Sequence, residues 1–62
     1  MISENIKNLR TANKLSQKEL ATELNVSLKT ISHWESGYTE PPIIAIKKLK
    51  EFFNITYEEL LD

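Results

Sequence analysis

The chain has no cysteine, a single glycine, two prolines and a single histidine among its 62 residues, and each shortage closes a class of function. Without thiols there is neither a disulfide staple nor a thiolate metal site. His33 stands alone and makes no zinc site by itself. One glycine cannot build a glycine-rich phosphate loop. No apolar run approaches the roughly 18 residues a membrane span needs, and the opening MISENIKNLR lacks the basic-then-apolar order of a signal peptide. No metal, cofactor, small-molecule ligand or membrane partner is expected, and the expected place is the cytoplasm. Catalysis has little to stand on: His33 and Glu35 are too close in a helix to share a face, and the serines are better explained as helix caps. No enzyme is expected.

What the chain does have is helical patterning. With 40% hydrophobic and 27% charged residues it reads as globular. A chain this short buries only about 60% of its unfolded surface, so stability rests on tight helix packing, helped by dimerisation. The net charge of −1 gives no support to a polyanionic partner, although residues 1–37 sum to +1 and residues 38–62 to −2. Ile2, Ile6 and Leu9 fall on one face of a first helix ending near Asn13, where Lys14 suits the negative end of the dipole. Ser16 and Glu19 form a capping box, with Leu15 and Leu20 as its hydrophobic staple. Leu20, Ala21 and Leu24 then face the core, and Asn25 suits the left-handed conformation of a tight turn. Ser27 caps a third helix, Leu28 to Ser36, which Ile31 and Trp34 bury and Gly37 ends.

Pro41 and Pro42 separate that helix from a fourth, marked by Ile43, Ile46, Leu49 and Phe53. Thr56 with Glu59 opens a short fifth helix. No strand signal, linker or internal repeat occurs, so the expected fold is all-α, five helices in one domain over residues 1–62. Helices two and three, the stretch Leu15 to Gly37, read as a helix-turn-helix. Ile31, Trp34 and Glu35 share the inward side of helix three; Lys29, Ser32, His33 and Ser36 occupy the other, with Leu28 at the edge. Such a helix fits the major groove of DNA, while Ser16 and Gln17 at the start of helix two would meet a phosphate.

These residues carry a resemblance. Ile6, Leu9 and Arg10, then Leu15-Ser16-Gln17, Glu19-Leu20-Ala21, Leu24, Val26-Ser27, Thr30-Ile31-Ser32, Trp34-Glu35 and Gly37 resemble the phage repressor and Cro family of helix-turn-helix regulators. The likeness continues through Pro41, Ile43, Ile46, Leu49, Phe53 to Thr56 and Glu59 to Leu61. It implies a five-helix lambda-repressor-like domain, bacterial or phage-encoded. It also implies sequence-specific binding of double-stranded DNA and a homodimer on a near-palindromic operator, acting as a repressor. Base readers of the family match Leu28, Lys29 and His33, with Ser32 a fourth. The DNA backbone would be met by Ser16, Gln17, Ser27, Ser36 and Thr39. Arg10 and Glu35 match an ion pair joining helix one to helix three, which suits a carboxylate placed beside Trp34. Phe52, Tyr57 and Leu61 are the candidate dimer patch.

Two features depart from the family pattern. The loop after Gly37 reads Tyr38-Thr39-Glu40 where basic residues are common, and Leu28 offers only apolar contact, best matched by a thymine methyl. Trp34 is expected in the core, and Lys47, Lys48 and Lys50 on a solvated face. Two further readings stand beside the leading one. The chain could be a protein-interaction module of the same fold, or the DNA-binding part of a larger antitoxin or inducible repressor that continues beyond Asp62.

Overall fold

Five helices make up the computed structural model, which describes all residues 1–62: α1 (Ile2–Ala12), α2 (Gln17–Leu24), α3 (Leu28–Ser36), α4 (Ile43–Phe53) and α5 (Tyr57–Leu61). None is long and apolar enough to cross a membrane. The fold is all-α, as expected. α3 packs on both α1 and α2, α5 closes against α1, and α2 touches α4. The body measures 25 × 23 × 19 Å.

Starts and stops are chemically specified. Ser16 and Thr56 each form a complete capping box with the glutamate three residues on, and the Ser27 hydroxyl accepts from the Thr30 amide. α1 to α4 end in one geometry, a residue with positive φ at Lys14, Asn25, Gly37 and Asn54. In each case the amide of the following residue bonds back across six residues: Leu15 to Arg10, Val26 to Ala21, Tyr38 to His33 and Ile55 to Lys50. Gly37 is needed for its φ of +79°, because an added Cβ would meet only Ser3 Oγ at an ordinary 3.9 Å. Lys14 does more than complement the α1 dipole. It supplies the left-handed turn itself, a role its residue type does not advertise.

The core is Ile6, Leu20, Ala21, Leu24, Ile31, Trp34, Ala45, Leu49 and Leu60. Ile2, Leu9, Leu15, Val26, Ile46, Phe53 and Ile55 pack around it. One expected core residue is misplaced. Ile43 is 84% exposed, and Ala45 takes the buried position instead. Steps of three residues precess by about 60° each around an α-helix, so Ile43 has rotated off the face that holds Leu49. Pro41, in the loop before α4, is buried. The Asn5 side-chain amide donates to the Leu60 carbonyl at 2.8 Å, tying the last helix to the first.

Candidate nucleic-acid interface

The turn between α2 and α3 is only Asn25, Val26 and Ser27. Left-handed Asn25 and the Ser27 cap fix the angle at which α3 leaves. Ile31 and Trp34 anchor one side of α3 in the core, and the opposite side is open. Leu28 is half-exposed, Lys29 and Ser32 are exposed, and His33 is partly covered. The cover on His33 is the ring of Tyr38, tilted against it at 4.8 Å between centroids. Tyr38 itself is 76% exposed. In sequence a non-basic loop residue, it adds in the fold an aromatic hydroxyl beside the C-terminal end of the open face.

Behind that face lies the strongest polar constellation of the chain. Arg10 Nε donates to Glu35 Oε2 at 2.6 Å and Nη2 to Oε1 at 3.0 Å, a two-pronged pair. Nη1 donates to the Leu15 carbonyl at 2.8 Å. The Arg10 and Glu35 side chains are only 12% and 4% exposed. The hydrogen bond to Glu35 holds the guanidinium pKa above its ordinary value, against the opposing effect of burial. Gln17 joins them, its amide donating to Glu35 Oε1 at 3.0 Å. Glu35 thus ties the first residue of α2 and the end of α1 to α3. Helix-wheel reasoning alone supplies no sign of this third member.

The candidate backbone donors are not equivalent once their internal bonds are counted. A hydroxyl must donate to bind a phosphate oxygen, and it has one proton. Ser16 accepts from the Glu19 amide, so its proton is free. Ser27 and Thr30 share a hydrogen bond of 2.8 Å, leaving one free proton between the two hydroxyls. Ser36 donates to the His33 carbonyl at 3.1 Å, so its proton is committed. Ser32 and Thr39 are solvent-exposed. Gln17 has two amide protons and commits one to Glu35. Glu40 lies exposed in the loop beyond.

The apolar patch expected from Phe52, Tyr57 and Leu61 separates into two places. Tyr57 and Leu61 line a cleft of about 510 Å³ with Ile43, Ile44, Ile46 and Lys47. Phe52 is not part of it and packs edge-on against Phe53 at 5.0 Å. Phe52 and Ile43 lie about 180° apart around α4, which is why the trio does not form one surface. The exposed isoleucines at the start of α4, Ile43 and Ile44, line the cleft and lie outside the expected trio.

A helix-turn-helix family model matches residues 6–60. The chain is 42% identical over 59 residues to the HTH-type transcriptional activator BcrR of Enterococcus faecalis, covering 95% of this chain and 29% of that protein. It is 31% identical over 61 residues to the cryptic phage CTXphi transcriptional repressor RstR of Vibrio cholerae, covering 98% of this chain and 55% of that protein. It therefore spans well under two thirds of both. Among solved structures, the biofilm master regulator SinR in complex with DNA matches with a TM-score of 0.89 and 28% identity over the full length of both chains.

Proposed function

The chain belongs to the helix-turn-helix family, and from that premise we propose that it is a cytoplasmic transcriptional regulator that binds double-stranded DNA in a sequence-specific way. It acts by binding and carries no catalytic step. The carrying observation is the open face of α3, raised by the short turn at Asn25–Ser27 and braced from behind by Arg10, Glu35 and Gln17. A helix of that width enters the major groove of B-DNA. Lys29 is the residue placed to bond guanine, Leu28 to cover a thymine methyl, and His33 to offer a ring nitrogen further along the helix. Ser16, Gln17, Ser27 and Thr39 carry the free donors that meet the phosphate backbone. Occupying the duplex is enough to repress, since it excludes other proteins from the same groove, so repression is the action we assign.

Two subunits are proposed to join through the α4–α5 cleft and place their α3 helices in successive major grooves, about 34 Å apart. Selection from a pool of random duplexes tests the reading. An enriched near-palindromic sequence is expected. On that sequence Lys29→Ala should relax preference at one base position, with a loss of about tenfold or more in discrimination. Gln17→Ala should instead weaken all sequences alike. A pool that shows no enrichment, with an affinity that does not fall as salt rises, would sink the proposal.

That last outcome would favour the same fold acting as a protein-interaction module. The exposed Glu40 beside the open face and the net charge of −1 are the observations behind this second reading.

A further inference from the structure

The chain beyond α3 folds back onto His33. The His33 carbonyl accepts from the amides of Tyr38 and Thr39 at 3.0 and 3.3 Å, and from the Ser36 hydroxyl at 3.1 Å. Gly37, at φ +79°, makes the turn that brings those amides there. The Tyr38 side chain therefore leaves the backbone from a point fixed against His33. Its ring rests 4.8 Å from the imidazole, tilted by 57°, within the range in which aromatic pairs attract. The core does not require this contact. Tyr38 is 76% exposed and belongs neither to the buried cluster nor to the side chains packed around it. What the contact changes is His33, which is partly covered while Ser32 and Ser36 on the same side of α3 are open to solvent.

We propose that Tyr38 is a positioning residue that sets base preference at the DNA position read by His33. The assignment rests on the DNA-binding reading and deepens it. An unsupported imidazole on the outer side of a helix turns readily about its last torsion, whose wells are broad and roughly two-fold. Turning the ring over exchanges nitrogen for carbon along each edge, so a base meets a hydrogen-bonding atom in one state and a C–H in the other. Ordering such a side chain on binding costs affinity. The Tyr38 ring restricts the imidazole before DNA arrives, so the ordering is already done in the free protein. Tyrosine suits the task because it has only two side-chain torsions of its own to fix, and the ring rather than the hydroxyl performs it. The two residues stand five apart, a spacing that no helix face brings together; the left-handed turn at Gly37 does.

Two measurements test this. His33 is the only histidine, so its two imidazole C–H protons give unambiguous NMR resonances in the free protein. The Tyr38 ring current should displace them from the positions of free histidine. Tyr38→Phe should keep the displacement, and Tyr38→Leu at the same pH should abolish it. Resonances that stay in place in Tyr38→Leu would show that the rings do not meet in solution, which overturns the proposal. The second measurement compares base preference on a duplex selected from a random pool. Tyr38→Leu should lower discrimination by about two- to tenfold at one base position per half-site, the position that His33→Ala also relaxes. The double variant should go no further than His33→Ala alone, because both changes remove one contact. Tyr38→Phe should restore the preference of the parent, and both Tyr38 variants should keep its thermal midpoint. Unchanged preference in Tyr38→Leu overturns the positioning role. So does an equal loss on every sequence in Tyr38→Phe and Tyr38→Leu, which would make the hydroxyl a backbone contact; either result leaves DNA binding intact. A His33→Ala variant with the preference of the parent removes His33 as a reader, and Tyr38 with it. A parent protein that enriches no sequence overturns the DNA reading itself.

Discussion

Arg10 makes three hydrogen bonds to two groups, the Glu35 carboxylate and the Leu15 carbonyl, and Glu35 receives all that a carboxylate with 4% exposure requires. A buried ion pair of this kind contributes little net stability beyond an apolar pair of equal shape, but breaking it is costly because one charge is left stranded. Arg10→Met should therefore lower the unfolding free energy by about 3 kcal/mol, read from urea titrations. That is most of what a single small core supplies, roughly 3–5 kcal/mol, so the variant should keep no more than about 2 kcal/mol and unfold at a much lower urea concentration than the parent. Arg10→Met combined with Glu35→Leu should regain most of the loss. A single variant that unfolds at the urea concentration of the parent would show the pair to be incidental. Pattern in the sequence identified the partners, since Glu35 shares the inward face of α3 with Trp34. It gave no hint of Gln17 or of the Leu15 carbonyl. Those reach the pair through the bend after α1, where Lys14 at φ 59° turns the chain, and a lysine carries no signal for that conformation.

Elements show the same division. The starts of α2, α3 and α5 are written in short local motifs, and the structure forms them as the motifs specify. Three of the four left-handed endings fall on asparagine or glycine, which favour that conformation: Asn25 and Gly37, expected as helix ends, and Asn54, which carries the same signal. Lys14 alone has a residue type that carries none. The capping box of α2 makes a pH prediction. The Ser16 backbone amide donates to the Glu19 carboxylate at 2.8 Å and holds its pKa below the ordinary value. In the unfolded chain that bond is absent, so between the two pKa values the unfolded state binds more protons and stability rises with pH. The contribution is complete above the ordinary glutamate range and is lost as pH falls through the lower folded value. Glu19→Gln keeps an acceptor for the Ser16 amide but cannot titrate. Its urea midpoint should change little at neutral pH and fall less steeply than that of the parent as the solution is acidified. Parallel acid limbs would remove the capping box as the source of that slope.

For the whole molecule the question is what covers the apolar cleft between α4 and α5. Ile43 and Ile44 are 84% and 66% exposed, and Tyr57 and Leu61 are both 46% exposed. Large apolar side chains gathered in one cleft, on a domain whose own core holds nine residues, suit an isologous contact with a second copy. Leu61→Glu should place a charge at that contact. Sedimentation should then report a monomer where the proposed dimer is expected of the parent, with helix content unchanged. Operator affinity should drop by at least about tenfold, since the second half-site no longer adds to the first. A parent protein that sediments as a monomer at the concentrations of the binding assay would refute the dimer. The Phe52→Ala variant distinguishes the two patches: lying outside the cleft, it should leave the sedimenting mass as it is.

The sequence by itself determined the helices, their order and most of their caps, because these depend on neighbours within four residues and on a 3.6-residue period. It determined the family for the same reason, since the family is a pattern of such positions. Tertiary structure decided what depends on how the helices meet. It set the phase of α4, which exposed Ile43 and buried Ala45. It drew Gln17 onto Glu35, tilted Tyr38 over His33, and parted Phe52 from Tyr57 and Leu61. It also brought Lys7 of α1 beside Ser32 of α3, residues 25 positions apart in the chain. No local rule carries that distance. Only the packing of α1 across α3 does.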